Sequence, residues 1–229
     1  MSASILWSLA PQQSDEWFAI RRGVVTGSIA AVAREKLKNG TPSKACVLKA
    51  RDLARERVGG KPLGIFTNEA MRLGTSEEPK AREAYEDRTG FMVEEVGFAY
   101  TDDGRFGCSV DGIVHIPVPS LRPWLWECKT IVSSDRLFEA VIGGDVSEWI
   151  DQCTFNVWLL TAAGIRLYLH VWDLPELSRE IVIPRDEAAI EALERDMVEF
   201  ERMVAANERA LLDAMGKASA ELPTANDAP

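Results

Sequence analysis

Apolar positions change their spacing several times along this chain, and each change predicts a different kind of element. Up to Gly90 they recur at helical steps. Asp15-Glu-Trp-Phe-Ala-Ile-Arg-Arg22 stops at Gly23, an Ile-Ala-Ala-Val-Ala run follows with Thr26 or Ser28 to cap it, and Ser43 to Val58 makes a third helix closed by Gly59-Gly60. Thr75-Ser-Glu-Glu78 fits a capping box at the head of a helix running through Ala81, Ala84 and Tyr85 to Gly90. From Phe91 the period falls to that of strands. Phe91 to Tyr100, Asp111 to Val118 and Trp124 to Lys129 are short, β-branched and aromatic, with Gly104, Gly107 and the Pro117-Val-Pro-Ser-Leu-Arg-Pro123 stretch as turns. The three segments read as an antiparallel meander.

Helical spacing returns from Ser134 to Ile142, closed by Gly143-Gly144, and again from a Ser147 cap to Ala163-Gly164, with Trp149, Ile150, Cys153, Val157 and Leu160 as its apolar stripe. Strands Ile165 to Trp172 and Glu180 to Ile183 follow. A last helix, Asp186 to about Met215, sets Ile190, Leu193, Met197, Phe200, Val204 and Leu211 on one face, with Asn207 interrupting it. That stripe is too short and broken for a coiled coil and predicts core or subunit packing. The order predicts an α/β fold in which a mixed central sheet is flanked by helices on both sides. Residues 1–215 are expected to form a single domain and 216–229, rich in Ala, Pro and polar residues, a disordered tail.

Composition agrees with one substantial core: 229 residues, 46% hydrophobic and 27% charged. No stretch is apolar enough to span a membrane and the N-terminus does not read as a secretory signal, so a cytoplasmic protein is expected. Cys46, Cys108, Cys128 and Cys153 lie far apart without zinc spacing, and the histidines, His115 and His170, sit in strand-like runs that predict structural roles. Charge changes the picture more. Between Ile20 and Lys61 stand 11 Lys and Arg against 3 Asp and Glu, a local +8 in a chain of net −10. A basic face of that kind can hold nucleic acid while acidic faces elsewhere repel it; the alternative is that Lys36, Lys38, Lys44, Lys49, Arg51, Arg55 and Arg57 are solvated helix faces.

In Trp126-Glu127-Cys128-Lys129 the pleat sends Glu127 and Lys129 to one face and Cys128 to the other. Asp111, at the start of the preceding strand, can be brought beside Glu127 by hairpin pairing. Two carboxylates converging on a point call for a cation, and hard oxygen ligands suit Mg²⁺ or Mn²⁺. A bound ion would polarise a phosphodiester and activate water while Lys129 orients the nucleophile or balances charge. By itself Asp…Glu-x-Lys is a common strand-face pattern.

The motifs become specific as an ordered series: Trp17-Phe-Ala-Ile-Arg21 through Ser28, Gly74-Thr-Ser-Glu-Glu78, Cys108-Ser109-Val-Asp111-Gly112, Glu127-Cys-Lys129, and Gln152 in a Trp-rich helix. Over roughly residues 15 to 175 the chain resembles the phage lambda exonuclease family, the YqaJ-type viral recombinases, within the restriction-endonuclease-like nucleases of Pro-Asp…Asp/Glu-x-Lys type. The resemblance implies a restriction-endonuclease-like core and a Mg²⁺-dependent 5′-to-3′ exonuclease on double-stranded DNA. Such an enzyme releases mononucleotides and leaves 3′ overhangs for recombination, with two ions per site and Mn²⁺ as a substitute. It implies that Asp111, Glu127, the Cys128 carbonyl and Glu78 hold the metal, that Lys129 is the catalytic lysine, and that Arg21, Ser28, Ser109 and Gln152 bind the terminal 5′-phosphate. Met71 falls where the family places an apolar wedge at the duplex end. A homotrimeric ring and a single-strand annealing partner are implied too, in a bacterial host and encoded by a phage or prophage.

Glu78 keeps its second reading as a capping-box residue, and Ser28 its reading as a helix cap. Two features depart from the family: Val110 replaces the proline of the motif, and the stretch from Asp111 to Glu127 is long, carrying Pro117, Pro119 and Pro123. An endonuclease of the same fold and a catalytically silent DNA-binding module are the competing expectations.

Overall fold

The computed structural model describes residues 4–12, 14–62, 69–116 and 122–221. In chain order these form β1 (Ile5–Ser8), α1 (Asp15–Arg21), β2 (Val25–Thr26), a 3-10 turn Gly27–Ile29, α2 (Ala30–Arg34), α3 (Lys44–Arg57) and α4 (Glu69–Thr89). Then come β3 (Met92–Glu94), β4 (Phe98–Thr101), β5 (Phe106–Cys108), β6 (Gly112–His115), β7 (Trp124–Ile131), α5 (Ser134–Arg136) and a π-helical stretch Leu137–Ile142. The chain continues with α6 (Ser147–Leu159), β8 (Gly164–Val171), β9 (Arg179–Pro184) and α7 (Glu187–Glu221).

The main sheet has five strands in the order β3-β6-β7-β8-β9, with β7 and β8 parallel and the other neighbours antiparallel. Strand alternation divides its side chains between two layers. Leu125, Ile131, Ile165, Leu167 and Leu169 join Cys153 and Val157 of α6 and Leu193, Met197 and Phe200 of α7 in the large core. Trp126 and Tyr168 point the other way, against Ala81 and Tyr85 of α4. The expected α/β sandwich with helices on both sides of a mixed sheet is therefore what forms.

A second sheet was not foreseen. Its order is β1-β4-β5-β2, with β2 and β5 parallel. Phe91 to Tyr100 is accordingly not one strand: β3 joins the main sheet, β4 pairs with β1, and only β3, β6 and β7 make the expected meander. The chain crosses between sheets at Gly97, where an added Cβ would lie 1.7 Å from the Ser8 carbonyl oxygen. Gly97→Ala is expected to force β1 and β4 apart and cost about 2 kcal/mol, a typical overpacking penalty, seen as a lower urea midpoint with an unchanged slope.

The Ser43 hydroxyl accepts from the Cys46 backbone N–H at the start of α3, and Ser14, not singled out by the sequence, does the same for Trp17 at the start of α1. Three other expected caps fail. Thr26 and Ser28 hydrogen-bond each other at 3.1 Å; Thr26 precedes the 3-10 turn without a side-chain capping bond, and Ile29 rather than either residue precedes α2. Val146 rather than Ser147 is the cap residue of α6, and Asp145 Oδ1 accepts from the Ser147 N–H. The Thr75-Ser-Glu-Glu78 box opens nothing, because α4 is already helical from Glu69 and places Glu78 in its interior. The expected helix 134–142 divides into α5 and the π-helical stretch. The last helix continues past Met215 to Glu221, so the start of the expected tail is helical; residues 222–229, the turn residues 117–121 and the Met71 side chain lie outside the described residues.

Candidate active site

β6 and β7 pair only over Gly112–Val114 and Trp124–Trp126, so beyond Trp126 the β6-side edge of β7 is left to other groups. Asp111, just ahead of β6, uses it: its Oδ2 accepts from the Cys128 N–H at 2.8 Å. Glu127, 2% exposed, turns toward α6. Its Oε1 accepts from Lys129 Nζ at 2.8 Å and Gln152 Nε2 at 2.7 Å, and its Oε2 accepts from Asn156 Nδ2 at 3.3 Å. Lys129 also donates to Gln152 Oε1 at 3.1 Å. The pleat separates Glu127 and Lys129 from Cys128 as expected, since Cys128 packs with the Trp126 and Tyr85 layer.

Glu78 reaches the same neighbourhood from α4, with Arg82 Nη2 at 3.4 Å from its Oε1. The electrostatics show how closely these groups feel one another. Burial, then the charges of Glu127 and Glu78, push the Asp111 carboxyl well above the usual carboxylate range. Burial raises Glu78 too, against Arg82 and with Glu127. Burial alone would lower the Lys129 ammonium, but Glu127 and Asp111 outweigh it and raise it. Three acids therefore share a poorly solvated place with one lysine, an excess of negative charge that a divalent cation would offset. Among the described residues no three Asp, Glu, His or Cys side chains stand as a ready-made ligand cage; Glu127 is drawn toward Lys129, Gln152 and Asn156.

A second cluster adjoins the first. Arg21 Nη1 donates to Ser109 Oγ at 2.9 Å, and Trp17 Nε1 donates to the same oxygen at 3.2 Å. The guanidinium carbon lies 4.1 Å from the centroid of the Trp17 ring and 5.3 Å from that of Phe98. No carboxylate among the described residues pairs with Arg21, and burial pushes its pKa down to about 10. A desolvated cation of this kind lacks only an anion.

Of the four residues expected around a terminal phosphate, the structure joins Arg21 with Ser109. Ser28 is exposed beside Thr26, and Gln152 serves the Glu127–Lys129 pair instead. Asn156 and Trp17 were missed as site residues. Asn156 had a signal: it stands four residues after Gln152 within a helix of largely apolar character. The basic N-terminal region is also less open than its composition suggests. Arg34 pairs with Asp151 and Asp196, Lys36 with Asp196 and Glu199, and Arg57 with Glu201, most of them acids of α7. His115 meets Glu94 on the surface and His170 is a buried strand residue.

Residues 16–162 match the YqaJ-like viral recombinase domain. The chain belongs to that family. The YqaJ-like match takes in both clusters, from Trp17 and Arg21 to Gln152 and Asn156, and leaves α7 outside it. The fold is similar to that of the alkaline exonuclease LHK-Exo of Laribacter hongkongensis, at 26% identity and a TM-score of 0.75, over 90% of this chain and 100% of that one. The same exonuclease in complex with dAMP gives 26% identity and a TM-score of 0.76 at the same coverage. A phage related exonuclease from Haemophilus somnus 129PT shares the fold at 14% identity and a TM-score of 0.62, over 84% of this chain and 96% of that one. No significant match is found among curated proteins. This YqaJ-like chain thus has the restriction-endonuclease-like fold of the alkaline exonucleases.

Proposed function

We propose that this YqaJ-like chain is a Mg²⁺-dependent exonuclease that digests one strand of duplex DNA from its 5′ end, releases mononucleotides and leaves a 3′ overhang for recombination by strand annealing. The carrying observation is the adjacency of the two clusters. Ser109, which holds Arg21, and Asp111, which anchors on Cys128, are two residues apart, at most about 7 Å of chain. An anion held at Arg21 and Ser109 would be a terminal phosphate, and the acids beside it would act on a bond close to that end. A relative that binds dAMP, a mononucleotide, is in keeping with such a product.

Asp111, Glu127, Glu78 and the Cys128 carbonyl are the groups that would hold the metal, two ions per site, with Mn²⁺ able to replace Mg²⁺. When bound, such ions polarise a phosphate oxygen and supply an activated water. Arg21 and Ser109 bind the end phosphate, Lys129 steadies charge at the reacting phosphate, and Gln152 and Asn156 orient Glu127. Burial around Glu127 and Lys129 makes each of these charges act through a medium less screening than water.

The same reading extends to a homotrimeric ring around the duplex, a partner that anneals single strands, and work in the cytoplasm of a bacterial host from a phage or prophage gene. Among the described residues no helix is long and apolar enough to cross a membrane.

End dependence is the test. Linear duplex with one labelled 5′ end should be converted to labelled mononucleotide with Mg²⁺ and left intact with a chelator, while closed circular duplex survives both. Cleavage of the circle would identify an endonuclease instead.

A further inference from the structure

The acid cluster is assembled from two elements, strand β7 with Asp111 beside it, and helix α4 with Glu78. Something must set the distance between them. Two turns beyond Glu78 the helix is held well: Tyr85 packs on Trp126 and Tyr168, Tyr85 Oη donates to Glu180 Oε1 at 2.8 Å, and Arg88 donates to the Ser178 carbonyl. That hold does not pass cleanly to Glu78. Pro79 lies inside α4 and cannot donate to the carbonyl four residues before it, so it loosens the helix at the residue after Glu78.

At this level the side chain that α4 turns to the sheet is Glu77, 8% exposed, and what it meets is His170 of β8, 5% exposed. Glu77 Oε2 lies 3.6 Å from His170 Nε2, and Lys80 Nζ donates to Glu77 Oε1 at 2.6 Å. Among the described residues neither ring nitrogen of His170 makes a hydrogen bond, and the ring is stacked on Tyr168, so it is held in plane facing the helix. In register, His170 pairs with Thr130, the residue after Lys129. The contact between Glu77 and His170 therefore joins the helical half of the site to the sheet half, one residue from Glu78 and one strand from Lys129. A buried carboxylate and imidazole are a costly way to fill space that an apolar pair would fill without penalty.

We propose that Glu77 and His170 are positioning residues, a polar clasp that fixes where α4 presents Glu78 to the ion-holding acids. The inference rests on the reading of Glu78 as a metal ligand and adds residues that touch neither metal nor DNA. Partners that orient ligands are worth about 10- to 100-fold in metal affinity when removed.

The test is calorimetric titration of the intact protein with Mn²⁺, without DNA, for the wild type, Glu77→Leu, His170→Leu, the double variant, Glu77→Gln and Glu78→Ala. Glu77→Leu and His170→Leu should each weaken Mn²⁺ binding about 10-fold or more, and the double variant no more than the weaker single. Glu77→Gln, which keeps a polar side chain of the same shape facing His170, should stay within about three-fold of the wild type, on the same scale. Single variants that bind Mn²⁺ like the wild type, whatever their melting temperatures, would overturn the clasp while Glu78→Ala still weakens binding. If Glu78→Ala also binds normally, the metal reading of Glu78 falls and takes the clasp with it. Should His170→Leu not fold, Glu77→Leu decides.

Discussion

Glu127→Ala is expected to reduce Mg²⁺-dependent digestion of linear duplex by about 10³-fold or more, and Lys129→Ala to do nearly the same. The two should not be equivalent in stability. Glu127 is almost fully enclosed and receives three side-chain donors, so its removal leaves Lys129, with a side chain 22% exposed, without its carboxylate. Breaking one side of such a pair costs about 3–5 kcal/mol. Glu127→Gln keeps the shape and most of the hydrogen bonds and should lose activity at a much smaller loss of stability. Digestion rates on end-labelled duplex and urea unfolding of each variant separate these effects. Activity within about ten-fold of wild type, one tenth of the scale a preorganised charge normally contributes, in either Glu127→Gln or Lys129→Ala would remove the mechanism.

The second large effect is expected at Arg21. Arg21→Ala should slow digestion of 5′-phosphorylated ends about 100-fold, the weight of a truncated, desolvated charge, and barely change 5′-hydroxyl ends. Equal losses on the two substrates would reject a phosphate anchor. Stability should move the other way from a structural arginine. Arg21 is a half-buried cation without a carboxylate partner among the described residues, and the desolvation that lowers its pKa to about 10 disfavours its charge in the folded state. Arg21→Met, which keeps an apolar stem against Trp17 and Phe98, is expected to unfold at equal or higher urea concentration than the wild type.

Where the sequence was legible, a local rule was strong enough to act alone. The helical stripe of α7, the Ser43 cap of α3 and the Glu-x-Lys face of β7 all follow from spacing and capping chemistry, and each forms as read. β1, β2 and β5, of four, two and three residues, are too short to show a period and exist because they pair with one another and with β4. The Thr75 box failed because its chemistry describes a helix start, and the helix had begun six residues earlier at Glu69. In the site, Asp111, Glu127 and Lys129 were legible as a set. The place of Gln152 was not, since which of two neighbouring clusters an amide serves depends on the angle of α6 to the sheet. Gly27 allows the close approach of α6, since a Cβ there would lie 2.6 Å from Asn156 Oδ1.

The pairing of Arg57 has a consequence for the order in which this molecule can become competent. Arg57 Nε donates to the Gly23 carbonyl at 2.8 Å, and its other nitrogens donate to Glu201 of α7 at 2.7 and 2.8 Å. Gly23 follows Arg21 by two residues, so the end of α1 that bears Arg21 is braced by the final helix among the described residues. During synthesis α7 follows both clusters, so on a nascent chain the acids proposed for hydrolysis are already present before the brace that steadies Arg21 can form.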